Sequence, residues 1–306
     1  AASAARAARV ASANKHHGIV TTKAQHFSFD PAAISVSVID CPDFTEWVMP
    51  LLNGWTLSAL KASDAKPSAI TVSRKGDTFH LESNRIKGNE TYHGRIYIAC
   101  GFLVELMVAY GYSDDRLISL HAGGVVMDDK LVLFPASGKT GKSLLTAQCA
   151  FRGAAVFSDD IIPVNVKTGN ACALGVAPRM RLPIPDSISA ESAAWIKKAS
   201  GLTSKHYAYL DLATDAPESL LAPVGEERPL GAIIRLFREE GTSPKISEAS
   251  RPEIMRLMIR QHFGAAPATE MVEQFAHLVT SVPCYNLHYG GGDDALELLE
   301  DTVKAI

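Results

Sequence analysis

HAGGVVMDDKLVLFPASGKTGKSLLTAQCAFRGAAVFSDD, residues 121–160, decides how the rest of the chain is read. Within it, Ala136-Ser137-Gly138-Lys139-Thr140-Gly141-Lys142-Ser143 fits a relaxed Walker A pattern, with Ala136 where the strict pattern has its first glycine. Backbone N–H groups of such a loop turn inward onto phosphate oxygens, and the following helix adds the positive end of its dipole. Lys142 would neutralise the β- and γ-phosphates, and Ser143 would offer its hydroxyl to Mg²⁺. The plainer alternative is a glycine-rich turn that only starts a helix, and the flanking residues decide between the two. Residues 131–134 are a short apolar run, as a buried strand should be. Residues 143–152 read as a helix that Gly153 stops, and residues 154–157 as a second strand ending in Ser158-Asp159-Asp160. Strand, loop, helix and strand in that order are the context a phosphate-binding loop requires.

The same pattern predicts geometry. A right-handed crossover makes the two strands parallel, so the loop and the Asp159-Asp160 pair leave the sheet at one edge, where α/β proteins bind ligands. Upstream, Asp128-Asp129-Lys130 reads as a hairpin turn between residues 123–127 and 131–135, which returns His121 to the loop from the other side. Taken singly, the acidic pair could be a solvated turn and His121 a strand-end histidine. Together they supply what phosphoryl transfer needs: a phosphate cradle, a metal ligand and a base.

These residues resemble the catalytic core of the HPr kinase/phosphorylase family, whose fold is related to phosphoenolpyruvate carboxykinase. That family has a histidine before a Gly-Val strand, then GDSGVGKS, a short helix ending in Arg-Gly, and a strand ending in an Asp pair. The counterparts here are His121, ASGKTGKS, FRG and SDD, at matching spacings. The resemblance implies an α/β fold: a P-loop kinase core of the HPr kinase / phosphoenolpyruvate carboxykinase type, with a small N-terminal α/β domain. It implies ATP and Mg²⁺ as cofactors, Asp159 as the base, Asp160 and Ser143 as metal ligands, and His121 beside the transferred phosphoryl group.

One departure is informative. The family carries Glu-x-x-Gly-Leu-Gly-Ile after the Asp pair, and its Glu contributes to the metal site. Residues 171–181 here read ACALGVAPRMR, with no carboxylate. That counts against phosphorylase activity and against HPr as the substrate. Arg179 and Arg181 could instead clamp phosphates in bidentate fashion, or simply lie on a surface loop. Lys205 resembles a lysine of many HPr-kinase-like proteins and is a further candidate contact, a solvated lysine being its plainer reading. The divergent pattern is similar to peptide-tailoring kinases of lasso-peptide clusters. The expected acceptor is therefore a serine hydroxyl of a peptide or protein. The alternatives are a small-molecule hydroxyl and a nucleotide-binding regulatory protein without turnover.

The remaining sequence sets bounds. At 306 residues the chain allows two modest domains, and a net charge of −3 gives no sign of a nucleic-acid or anionic-membrane partner. Five cysteines without a Cys-x-x-Cys spacing predict a reducing, cytoplasmic setting. Self-association is left open. Residues 1–28 are expected to be a leader, residues 29–114 an α/β domain, and residues 115–306 the kinase domain. The stretch before Asp30 has no acidic residue and is rich in Ala, Arg and Ser, as a transit peptide or frayed leader would be; a peptide-docking arm is the alternative. Residues 96–112 read as a buried helix, since Glu105 and its length argue against a membrane span. Further on, helices are expected over 186–200, 250–263, 268–280 and 293–306, and strands over 161–166, 230–238 and 282–289.

Overall fold

The structure, a computed structural model, describes residues 23–63, 67–86, 88–135, 140–213 and 219–306. Four residues of the loop, Ala136, Ser137, Gly138 and Lys139, lie outside the described residues, as does the stretch 1–22.

Among the described residues the fold is mixed α/β with three sheets. The first holds β1 (Ala24–Asp30), β2 (Ile34–Ile39), β3 (Thr56–Ala59), β4 (Ile70–Lys75), β5 (Thr78–Ser83) and β6 (Glu90–Tyr92), in the order β3-β1-β2-β4-β5-β6. A short helix, α1 (Phe44–Val48), lies between β2 and β3, and α2 (Arg95–Gly111) follows β6. β1 starts inside the stretch assigned to a leader, which corrects that boundary. Phe27 and Phe29 alternate with His26 and Ser28, and Phe29 is fully buried. The period of two is masked in the sequence because the Ala/Arg-rich residues before it share its lack of acids.

The second sheet is built on β7 (Leu117–Met127), β8 (Lys130–Pro135), β9 (Ala155–Ser158) and β10 (Ile161–Asn165), with α3 (Lys142–Phe151) between β8 and β9. After them come β11 (Ala171–Cys172), β12 (Arg179–Arg181), α4 (Ala190–Lys198), β13 (Ser200–Thr203), β14 (Tyr207–Leu210), β15 (Glu227–Arg228) and β16 (Leu230–Arg238). The chain closes with β17 (Lys245–Glu248), α5 (Arg251–Gln261), β18 (His262–Gly264), α6 (Ala268–Ser281), β19 (Cys284–Tyr289) and α7 (Asp294–Lys304). The large sheet runs β15-β11-β10-β7-β8-β16-β19-β17, with β9 and β18 also on β7. The small third sheet is β12-β14-β13.

β7 organises the site because both its halves are used. Its first half pairs with β10 and β18, its second with β8 and β9. β8 and β9 are each antiparallel to β7, so they run parallel to each other with β7 between them. The β7–β8 turn is Asp128-Asp129, both at positive φ, the backbone of a two-residue hairpin. The expected hairpin and crossover are therefore both present.

Several expected boundaries move. The helix expected to run to residue 263 stops at Gln261, because the next three residues pair with β7 instead. β12, β13, β14 and β17 are too short to show a period in sequence. Arg179 and Arg181 thus sit on a strand, not on a loop.

The N-terminal sheet and the nucleus around β7 share one apolar cluster. It joins Phe29, Val36 and Phe102 to Leu144, Val156, Leu174 and Met180. Helix α2 serves both sides. Phe102 packs on Phe29 and Phe44 at ring distances of 5.3 and 5.0 Å, while Cys100, Val104 and Met107 face a cleft beside the acidic pair. Its Glu105 is buried and receives hydrogen bonds from Ser83 (2.6 Å) and Arg85. A polar latch secures the junction: Trp55 Nε1–H donates to Leu174 O at 2.7 Å, and Asn53 N–H to Gly175 O at 2.7 Å. Gly175 has φ +61, and a methyl there would strike the Asn53 carbonyl. No helix among the described residues is long and apolar enough to cross a membrane.

The latch makes a prediction. Gly175→Ala combines a disfavoured φ with a backbone clash and should lower stability by about 2 kcal/mol or more. Trp55→Phe, which orphans the Leu174 carbonyl, should cost about 1–3 kcal/mol. Urea denaturation followed by circular dichroism measures both; wild-type midpoints would remove the latch.

Candidate active site

The acidic pair is presented by a serine turn. Ser158 Oγ accepts the N–H groups of Asp160 and Ile161, both at 3.2 Å, and folds the chain sharply between β9 and β10. Across the sheet Ile161 pairs with His121, and Ala122 N–H donates to Asp160 O at 3.0 Å. The side chains of His121 and Asp160 are therefore neighbours: His121 Nδ1 lies 2.9 Å from Asp160 Oδ1. The other ring nitrogen, Nε2, lies 3.0 Å from Lys142 Nζ. An ammonium can only donate, so Nε2 accepts, and the proton on Nδ1 faces the carboxylate. Lys142, His121 and Asp160 form one hydrogen-bonded chain.

Asp159 is held separately. The Arg179 backbone N–H donates to its Oδ2 at 3.0 Å, and the Ser143 hydroxyl lies near enough to favour the ionised carboxylate. The resemblance pairs Ser143 with Asp160 on a metal; the structure sets Ser143 in the same cleft as both carboxylates. Helix α3 brings Lys142 and Ser143 in on its first turn, beneath the positive end of its dipole. Gly141 caps it at φ +91, where a side chain would strike the Tyr289 hydroxyl. That hydroxyl donates to Thr140 O at 3.1 Å.

These groups line a cleft of about 430 Å³. His121, Thr140, Gly141, Lys142, Ser143, Asp159 and Asp160 share it with Arg179 and Arg181. Lys205 does not line this cleft; it borders a second hollow that shares Pro183 and Pro185 with it. Sequence reasoning missed three contributors. Arg238 ends β16, which runs parallel to β8, so it reaches the same sheet edge as the loop; its Nη2 donates to Ser187 at 3.2 Å. Cys100 comes from α2 and contacts the Arg179 guanidinium, which also lies 5.0 Å over the Tyr207 ring. Tyr209 lies beside both. The strand-end rule could have found Arg238. No local signal marks Cys100, whose place is set by the packing of α2.

The electrostatics divide the two carboxylates. Burial, then the charge of Asp160, pushes the Asp159 carboxyl up to about 6, against the pull of the Arg179 N–H and the Ser143 hydroxyl. Burial pulls Asp160 the same way, but the hydrogen bond and charge of His121, with Arg179 and Lys142, outweigh it and hold that group below its ordinary value. Burial lowers Lys142, and the two carboxylates oppose that shift. Among the described residues no three His, Cys, Asp or Glu side chains cluster to cage a metal. A hard cation that keeps its own waters and takes one or two carboxylates plus substrate phosphates needs no such cage. The Ser143 hydroxyl and the Asp160 carboxylate are oxygen donors that would suit a cation of that kind.

No protein-family model matches this chain, and no curated protein matches it. Among solved structures it is similar to an HPr(Ser) kinase/phosphatase from Coxiella burnetii, at 14% sequence identity and a TM-score of 0.31. The match covers 61% of this chain and 93% of that one. A superposition that loose supports no functional step; the chemistry of this chain rests on the geometry of its own cleft.

The raised Asp159 carboxyl predicts a pH signature in metal-free protein. Its folded value, about 6, exceeds the unfolded value near 4, so its burial destabilises the fold above pH 6. The penalty vanishes as pH falls from 6 to 4. Asp159→Asn should therefore raise the melting midpoint at pH 7.5, by about 2 °C or more, and this gain should shrink towards pH 4.5. Scanning fluorimetry with a chelator present checks it; a pH-independent difference would contradict the shift.

Proposed function

We propose that the cleft binds Mg-ATP and transfers its γ-phosphoryl group to a hydroxyl, that of a serine in a peptide or protein. The observation that carries this is convergence. Lys142, His121, Asp159, Asp160 and Ser143 come from β7, α3 and the β9–β10 turn, yet meet in one cleft at the positive end of α3. Lys142 and the N-terminal amides of α3 bind the phosphates, and Arg238 faces them from the neighbouring strand end. Asp160, kept anionic by His121, would hold Mg²⁺ with Ser143. When bound, the ion would screen the phosphate oxygens and so favour attack by a neutral hydroxyl.

Asp159 is the base. Its carboxyl sits near 6, close enough to neutral pH to accept a proton while mostly ionised at rest. Two adjacent carboxylates driven apart in this way divide metal binding from proton transfer. The acceptor hydroxyl gives its proton to Asp159 as its oxygen bonds to the γ-phosphorus, and the bond to the β-phosphate oxygen breaks to release ADP. His121 orients Lys142 through Nε2 and keeps Asp160 ionised through Nδ1. A second reading, nucleotide binding without turnover, is favoured by one feature: residues 171–181 carry no carboxylate, where the resembled family has a glutamate that contributes to its metal site.

Two predictions separate these roles. Lys142→Ala should weaken Mg-ATP binding at least about tenfold, the scale of a lost charge-assisted hydrogen bond, and abolish transfer. Calorimetry showing wild-type affinity would remove the phosphate assignment. Asp159→Asn should abolish transfer while retaining Mg-ATP, whereas Asp160→Asn should raise the Mg²⁺ concentration needed for binding. Mg²⁺ titrations that move equally in the two variants would refute the division. Mass spectrometry of candidate acceptors reads the product, with phosphate expected on serine; labelling confined to a metabolite would replace the peptide reading.

A further inference from the structure

The Arg179 N–H that holds Asp159 also fixes which way a strand edge faces. β12 is an outer strand of the β12-β14-β13 sheet. Towards β14 it uses alternate residues: Leu210 N–H donates to Pro178 O at 3.0 Å, and Leu182 N–H to His206 O at 2.8 Å. Antiparallel alternation therefore turns the backbone groups of Arg179 and Arg181 to the opposite side. Arg179 confirms that facing, since its N–H reaches Asp159 Oδ2. The Arg181 N–H and C=O lie on the same edge, two residues or about 7 Å further along. Arg181 is exposed and lines the cleft.

Immediately after Arg181, residues 182–186 form one wall of the second hollow, a trench of about 770 Å³ whose other walls come from α4, β13 and β14. It shares Pro183 and Pro185 with the cleft, so the two adjoin. Its charged rim is Lys197 and Lys205 against Asp186. With Arg181 at its mouth, the approach to Asp159 is net positive.

We propose that the outer edge of β12 receives the acceptor as an added β-strand: an extended, acidic polypeptide segment hydrogen-bonds the Arg181 backbone and lays its flanking side chains in the trench. This rests on the phosphotransfer reading of the cleft and names its substrate class. Strand addition takes its affinity from the main chain and its specificity from alternate side chains. Here it sets the register as well. A segment bonded at Arg181 runs along the edge whose next outward N–H already holds the base, so a serine on it is delivered to Asp159. Opposite charge on the trench rim selects acidic residues beside that serine. A metabolite would need a closed pocket and no free strand edge.

The test uses fluorescein-labelled peptides of one length with a central serine, flanked by acidic, basic or neutral residues. Binding is read by anisotropy at low salt without nucleotide, so it does not depend on transfer. Acidic flanks should bind about tenfold more tightly than basic ones. Backbone N-methylation, scanned along the tightest peptide, should weaken binding at alternate positions and be tolerated at those between. Lys197→Glu combined with Lys205→Glu should reverse the charge preference, and tighter binding of basic peptides is an outcome that misfolding cannot produce. Absence of peptide binding, uniform tolerance of N-methylation, or no charge preference would overturn strand addition. Alternating binding with no phosphoryl transfer would uphold the edge and reject the phosphotransfer reading; transfer to serine peptides without the alternation would do the reverse.

Discussion

Lys142, His121 and Asp160 are tied into one hydrogen-bonded chain, and the rest of the site is arranged to make that chain tolerable. Lys142 is 8% exposed, and a buried ammonium without compensation would lose its proton. The imidazole supplies an acceptor on one side and passes a donor to Asp160 on the other. The register of β7 against β10 brings His121 beside Asp160, and α3 brings Lys142. Asp159 is buried and stands next to a carboxylate that stays ionised, and for both reasons, burial first, its own proton is held more tightly. The asymmetry between two adjacent aspartates is a consequence of the fold, and the proposed chemistry uses that asymmetry.

The N-terminal sheet has a part in this that its sequence does not show. Residues 29–114 carry no catalytic pattern, yet α2 supplies one wall of the cleft and contacts Arg179 through Cys100. The same Arg179 holds Asp159 through its backbone. The Trp55 and Asn53 bonds fix residues 174–175, from which the chain runs on to β12. Sheet, latch, β12 and Asp159 are joined by one run of contacts. A shared apolar cluster packs residues 29–114 against the elements that carry the site.

How much of this is legible in sequence depends on how local each determinant is. The β7–β8 hairpin, α3 and the strand into Asp159-Asp160 are readable because turn residues, a helix-stop glycine and short apolar runs are local signals. The meeting of His121 with Asp160 comes from pairing rules applied to those elements. Arg179 stands out in the sequence, but its decisive contact is made by its backbone N–H, which no side-chain pattern announces. Cys100 and Arg238 depend on how α2 and β16 pack, and on contacts between residues far apart in the chain. β1 escapes a sequence reading because two phenylalanines in alternation are a weak signal beside a long biased run.

The central claim is that Lys142 faces the phosphates of a bound nucleotide, and acyl-phosphate ATP tests it directly. This reagent transfers its acyl group to an amine held beside the phosphates, and the modified peptide is then identified by mass spectrometry. The account predicts acylation of Lys142, dependent on Mg²⁺ and suppressed by excess ATP. Labelling confined to lysines outside the cleft, such as Lys167 or Lys197, or labelling of Lys142 that excess ATP leaves unchanged, would contradict it.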